Sequence, residues 1–333
     1  DLIMNPDVME VFLKREKILE SIRDTLKKKG FHEVDTPSLQ TVYGGAEARP
    51  FKTHLNALDI DMFLAISPEL YLKRLIVGGF ERVYTIARNF RNEGIDKSHN
   101  PEFTMMEIYQ AYADYNDMME LTEEIFENAA IASNGTTKVK VGDVELDFKR
   151  PWKRMTMAEA LKEFANIDIM NSSEQDLKAI VEKAGIEVRG NSWGYYVGAL
   201  FETYCEEKLI QPTFITDHPR ESTPLCKAHR SGDERLIERF EPFCMGMELA
   251  NAYSELNDPI KQRALLEEQQ ERLSSGVDEE AHPIDKDFIN AVEVGLPPTG
   301  GLGIGIDRMV ILLTGQESIR DVILFPFMKP END

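Results

Sequence analysis

The sequence predicts a soluble α+β domain whose core is a mainly antiparallel sheet flanked by helices. Three observations carry this expectation. Segments 60–66, 82–93 and 104–114 alternate apolar and polar residues at the period of a strand. The last two are joined by NEGIDKSHNPEF, which closes them into a hairpin. Helical patterns fall between strand patterns irregularly, without the repeated βαβ unit that a parallel sheet requires.

The elements follow in order. Residues 6 to 29 read as an amphipathic helix, with Val8, Phe12, Leu19, Ile22 and Leu26 on one side and Gly30 as its stop. FHEVDTP is a short strand ending at Pro37. After the hairpin, 116–131 is a helix and 141–148 a strand. From about 155 to 210 the pattern turns helical (MAEALKEFA, EQDLKAIVEKAG, YYVGALFETYCEEKL), which reads as an insertion within a single domain spanning 1–333. Strand signals return at 211–217 and in RFEPFCMGMELANAYSEL, where Gly246 marks a turn. A charged helix at 258–273, a loop at SSGVDEEAHP and a glycine-rich run entering an apolar helix complete the chain.

Composition narrows the function. The 333 residues suffice for a large core and sit near the size at which single cores begin to split. No apolar run approaches membrane-spanning length, and DLIMNPDVME lacks a signal peptide's basic and apolar regions, so no membrane role is expected. Cys205, Cys226 and Cys244 show neither pairing nor metal-site spacing, which points to the cytosol. With 59 acidic against 38 basic residues, a general nucleic-acid coat is excluded and only a local basic patch remains open, for instance near Arg49, Lys52 and Lys73.

Three clusters carry chemistry. In RNFRNEGIDKSHNPEFTMMEIYQAY the chain gathers Arg88, Arg91, Glu93, Lys97, His99, Glu102 and Glu107. Strand parity puts Arg91 with Glu93 on one face and Glu107 with Tyr109 on one face of the partner. Such a set holds a phosphate beside an ammonium, or forms an ordinary cross-strand salt-bridge ladder. In ERFEPFCMGMELANAYSELND, Asn251, Tyr253 and Glu255 share a parity, while Glu241 and Glu248 flank the Gly246 turn. Two carboxylates with no cation nearby in sequence suit a hard divalent ion held with substrate phosphates, or are simply solvated. Glu248 has the opposite parity to Glu255, so both reach one site only if the strand bulges. Finally, GGLGIGIDR fits neither the dinucleotide fingerprint nor the P-loop, because too little chain follows and no Gly-Lys-Ser/Thr is present. What survives is close backbone approach to a flat ligand, with Arg308 delivered at a helix start.

The wording of RNFRNEG, HNPEFTMMEIY and AYADY, together with ARPF, SPELYLKRL, ELANAYSELNDP and GLGIGIDR, resembles the signature motifs of class II aminoacyl-tRNA synthetases in their lysyl form. These segments, in order, cover nearly the entire chain. The resemblance implies a six- or seven-stranded antiparallel sheet and a homodimer formed around residues 6 to 37. It implies that Arg91 grips the α-phosphate of ATP and the amino-acid carboxylate. Glu93, His99, Asn100 and Gly303 would surround the nucleotide, with Phe103 and Arg308 on either side of the adenine. Glu241 and Glu248 would carry Mg²⁺. Glu107 and the Gly45 backbone would hold the lysine α-amine, and Asn251 its carboxylate. Glu69, Glu255 and Tyr109 would take the ε-ammonium, with Tyr253 along the methylene chain.

In that family an N-terminal OB-fold reads the anticodon. This sequence begins at DLIMNP, close to the first motif, so charging of lysine tRNA is expected to be weak. Two rivals stand beside this reading. One is a stand-alone lysyl ligase that modifies a translation factor, which tends to carry alanine where this chain has Gly303. The other is a non-catalytic lysine-binding regulator, which has no need of Glu241 and Glu248.

Overall fold

In a computed structural model, residues 2–276, 280–281 and 283–328 are described. Of the loop expected at SSGVDEEAHP, residues 277–279 and 282 lie outside them. The α+β expectation holds, but the six- or seven-stranded antiparallel sheet does not. Among the described residues the main sheet has nine strands. Its antiparallel centre runs Arg82–Phe90, Glu102–Ala111, Thr299–Gly305, Ala250–Ser254, Arg239–Cys244 and Thr213–Thr216, with Met247–Glu248 on the side. Each end is capped by a parallel strand, His32–Glu33 beside Arg82–Phe90 and Lys153–Thr156 beside Thr213–Thr216. Parallel neighbours arise from long crossovers, which leave no local turn signal in the sequence.

Alternation along the central strands separates a core from a site. Met106, Ile108, Leu302, Ile304, Ala250 and Ala252 are all buried and pack with the helices Pro6–Lys28, Tyr115–Asn134 and Ile306–Thr314 in one hydrophobic cluster. At ~25 cal/mol per Å² of apolar surface, each large side chain in this layer contributes about 1.5–3 kcal/mol. The residues between them, Glu107, Tyr109, Gly301, Gly303, Asn251 and Tyr253, point the other way.

Helix Pro6–Lys28 buries Val11, Ile18, Ile22, Thr25 and Leu26. The face inferred from periodicity was therefore rotated: Ile22 and Leu26 belong to it, whereas Val8, Phe12 and Leu19 are only half-buried. The helix carries two apolar stripes, and only packing against Tyr115–Asn134 decides which goes inside. Gly30, at φ 78°, ends it as expected.

Residues 155–210 hold helices Met157–Ala165, Glu174–Ala184 and Trp193–Tyr204, whose Leu161, Leu177, Val197 and Leu200 pack in a second hydrophobic cluster together with Ile215 and Phe243 of the main sheet. The strand expected at 141–148 is a hairpin of Lys138–Val141 and Val144–Asp147. Two helices were not anticipated, Glu69–Val77 and Lys286–Gly295. The first buries Glu69 and Lys73 along with Leu70, Leu72 and Ile76, so charged residues interrupt the apolar stripe that would have revealed it.

Candidate functional site

The sheet face opposite the helical core opens into a cavity of about 470 Å³, within the usual range for a small-molecule site. The residues that the resemblance assigns to ATP, lysine and the metal all line it: Gly45, Glu69, Arg91, Glu93, His99, Asn100, Phe103, Glu107, Tyr109, Glu241, Glu248, Asn251, Tyr253, Glu255, Gly303 and Arg308; Arg88, Lys97 and Glu102 of the first charge cluster do not.

Register explains how distant segments converge. Tyr109 and Gly301 are paired, Gly301 pairs with Tyr253, and Tyr253 with Arg239, so these four form one row across the sheet. Glu107, Gly303 and Asn251 form the next row. Glycine is needed at 301 because the space above it is filled, whereas at 303 only the flexible end of a methionine comes close. A Cβ at Gly301 would overlap Glu255 Oε1 and lie 2.6 Å from the Tyr109 ring, and one at Gly303 would lie 2.7 Å from Met105 Cε. The close approach expected at GGLGIGIDR is seen here toward side chains of neighbouring segments, Glu255, Tyr109 and Met105.

The question left by the parity of Glu248 is answered by a bulge. Phe243 pairs with Glu248, but Phe240 pairs with Ala252, so one extra residue has entered the second strand around Leu249. That residue reverses the alternation and returns Glu248 to the side of Asn251 and Tyr253. The Gly246 turn is as expected, with Met245 at φ 54° and Gly246 at φ 70°, as a tight hairpin demands.

Two expectations about this cluster need correction. Strands Arg82–Phe90 and Glu102–Ala111 stop short of Arg91 and Glu93, so those two residues lie in the connecting loop and share no strand face. Glu107 and Tyr109 do share one, and the Tyr109 hydroxyl donates to Glu107 Oε2 at 3.1 Å. The carboxylates Glu241 and Glu248 are also not free of cations. The Arg239 guanidinium bonds Glu241 and donates through Nε to Asn251 Oδ1 at 2.9 Å, and Arg308 Nη1 donates to Glu248 Oε2 at 3.2 Å. Arg239 was overlooked although it stands two residues before Glu241 and on the same face of the strand.

One end of the cavity is cationic and aromatic. Arg91 Cζ sits 5.1 Å from the Phe103 ring centre, and Arg91 Nε is buried without a hydrogen-bond partner among the described residues. Arg308 Nη2 also reaches His99 Nε2 at 3.2 Å, and Asp96 holds the other ring nitrogen at 2.8 Å. Asn100 is buried and donates to the Glu102 carbonyl at 2.6 Å. Arg15 of the first helix fixes this end from behind, pairing with Asp307 at 2.7 Å while the Thr104 amide donates to the same carboxylate.

The other end is acidic. Glu69, Glu107 and Glu255 are all buried. Ser67 Oγ donates to Glu107 Oε1 at 2.7 Å, and Gly45, at φ +86°, packs its backbone against Ser67 and Glu69 where a side chain would collide. The Tyr253 hydroxyl donates to Glu69 Oε2 at 3.1 Å. Burial, then the charge of Glu69, pushes Glu107 up to about 8. Burial raises Glu255 as well, although Lys73 opposes the shift. Among the described residues, Glu255 Oε1 has no hydrogen-bond partner. A buried carboxylate oxygen without a donor is costly unless a ligand supplies one.

Lys73, placed by the sequence reading in an exposed basic patch with Arg49 and Lys52, is fully buried against Glu69 and Glu255, so that patch does not exist as expected. Ser67 and Arg239, for which sequence reasoning found no role, and Lys73, which it placed in that patch, are polar residues that act on other side chains. The available signals were the i, i+4 spacing of Glu69 and Lys73 and the i, i+2 spacing of Arg239 and Glu241.

Comparison with known proteins places the chain in a family. The family described as tRNA synthetases class II (D, K and N) matches residues 1–329. A lysine--tRNA ligase of Pelotomaculum thermopropionicum is 56% identical over 99% of this chain and 66% of its own length. Relatives of the same name from Clostridium novyi and Porphyromonas gingivalis are each 55% identical over 99% of this chain, and over 65% and 57% of their own lengths. The chain spans about two thirds or less of the length of these three relatives.

Proposed function

Because the chain belongs to the class II tRNA synthetases of the D, K and N family, we propose that it activates L-lysine with ATP to lysyl-adenylate and passes the lysyl group to the 3′ end of lysine tRNA. The observation that carries the choice of amino acid is the buried Glu255 carboxylate with an oxygen lacking a donor, at the acidic end of a cavity whose other end is cationic. An aspartate or asparagine side chain would meet Glu69, Glu107 and Glu255 there, whereas an ammonium supplies what they lack. The names of the relatives support the same choice.

No protein nucleophile is needed. A lysine carboxylate oxygen attacks the α-phosphorus in line, the mixed anhydride forms, and pyrophosphate leaves with its bond electrons. This chain's part is to position the reactants and neutralise charge. Arg91, with its unpartnered Nε, faces the phosphate and the carboxylate, and Phe103 and Arg308 flank the base. Asn251, held by Arg239, orients the carboxylate, while Glu107 and Gly45 receive the α-amine. Glu69, Glu255 and Tyr109 receive the ε-ammonium, and Tyr253 lines the methylene chain.

The residues present also fit Mg²⁺. Burial and the neighbouring charge of Glu241 raise Glu248, and burial with Glu202, Glu241 and Glu248 pushes Glu206 up to about 7. Glu202, Glu206, Glu241 and Glu248 thus act on one another in that corner, opposed by Arg239 and Arg308. Glu241 and Glu248 would hold the ion together with substrate phosphates, and when bound it supplies charge neutralisation on the departing pyrophosphate.

A homodimer in the cytosol, with 155–210 as an insertion in one catalytic domain, completes the reading. The exposure of Ile3, Met4, Met9 and Leu13 on and before the first helix supports the dimer. No helix among the described residues is long and apolar enough to cross a membrane.

The deciding experiment is ATP–pyrophosphate exchange with each of the twenty amino acids. Exchange should require lysine and Mg²⁺, and equal exchange with aspartate would refute the reading. A pH dependence should accompany it. Glu107, raised from 4.5 to about 8, must be ionised to hold an ammonium. Lysine KM should therefore fall as pH rises toward about 8. Because the folded state holds this proton more tightly than the unfolded chain, the ligand-free protein should lose stability as pH rises through the same window. Saturating lysine should flatten that slope in melting curves. A lysine KM constant from about pH 6 to 8 would show that Glu107 does not bind the amine.

A further inference from the structure

We propose that Lys73 is a positioning residue whose ammonium sets the charge of the pocket, so that the pocket accepts an amino acid carrying two ammonium groups. This rests on the lysine-activation reading and adds to it a residue that cannot touch the substrate.

Lys73 is 0% exposed and does not line the cavity. It lies one helical turn after Glu69, so both side chains project from the same face of Glu69–Val77. Its Nζ is 2.5 Å from Glu69 Oε1 and also contacts Glu255 Oε2. The rings of Tyr253 and Phe288, centred 5.9 and 5.8 Å away, close in on the same ammonium. Burial on its own would lower its proton affinity, but Glu255 and Glu69 more than reverse that, and the ammonium stays charged.

The consequence is a count of charges. Once ionised, as they must be to hold ammonium groups, Glu69, Glu107 and Glu255 bring three negative charges to one buried volume, and Lys73 cancels one. Two remain, facing the cavity through Glu107 and through Glu255 Oε1, whose partner oxygen Lys73 holds back. A diamino acid brings two ammoniums, while its carboxylate falls to Arg91. Buried charges persist only when paired, so a ligand with one amine leaves a carboxylate unpaired and is rejected. Without Lys73 the pocket holds one charge too many, so a carboxyl besides Glu107 keeps its proton and each binding event must remove that one as well.

Two variants of the full chain test this by exchange kinetics. Lys73→Met should raise lysine KM about 100-fold near neutral pH, in line with an uncompensated buried charge. It should also move the midpoint of the KM–pH profile upward, with a smaller effect on kcat. The double variant Lys73→Met/Glu69→Gln removes one charge of each sign and leaves two carboxylates, so it should recover at least tenfold of the lost KM and lower the midpoint again. Loss of kcat or melting temperature with KM and midpoint unchanged would reduce Lys73 to a structural role and overturn the proposal. So would a double variant no better than the single one, or one that fails to fold, since it contains no surplus charge. Absence of lysine-dependent exchange in the unaltered protein would instead strike the lysine reading itself.

Discussion

Replacing Arg91 by alanine should lower lysine-dependent pyrophosphate exchange by at least ~10²-fold, the usual cost of one transition-state charge contact. The structure gives a specific reason to expect so large an effect. The guanidinium lies over Phe103, and its Nε is buried with no partner among the described residues, so that nitrogen is left for an anion. Loss should therefore appear in kcat as well as in the KM for ATP. An Arg91→Ala protein that exchanges at the original rate would remove this residue from the reaction.

Glu255→Gln should raise the lysine KM by about two to three powers of ten, because it deprives a buried ammonium of its carboxylate at a cost of roughly 3–5 kcal/mol. The amide keeps the shape that Gly301 leaves free, so the change is one of charge and not of packing. Lys73 retains Glu69 at 2.5 Å, which should spare the fold. The KM for ATP should barely move, since Arg91, Phe103 and Arg308 are untouched. If ATP affinity falls while lysine affinity holds, the acidic end has been assigned to the wrong ligand.

Much of this site was legible before any coordinates, because the chemistry sits in compact sequence motifs. Strand parity alone grouped Glu107 with Tyr109, and Asn251 with Tyr253 and Glu255. The same parity failed where the chain departs from ideal pairing. At Glu248 an added residue reverses the alternation, and at Arg91 the strand has already ended at Phe90. Neither event has a local signature, since a bulge is set by what the neighbouring strand offers.

Helix Glu69–Val77 shows the other limit. Its pattern is obscured because Glu69 and Lys73 are inside, and a charged residue in sequence reads as exposed until its partner is known. That partner, Glu255, is 182 positions from Lys73 and reaches it only because Ala250–Ser254 lies beside Thr299–Gly305 in the sheet.

By itself, then, the sequence determined the α+β class, the central hairpin, the turn at Gly246 and many of the residues that line the cavity, all of them local periodicity or motif, though not Ser67 or Arg239. Tertiary structure decided the nine-stranded mixed sheet, the face of the first helix that goes inside, and which cation answers which carboxylate. The physical reason is that alternation and spacing are properties of neighbouring residues. Burial of a charge depends instead on groups brought together across the sheet, and its energy is settled only when all of them are in place.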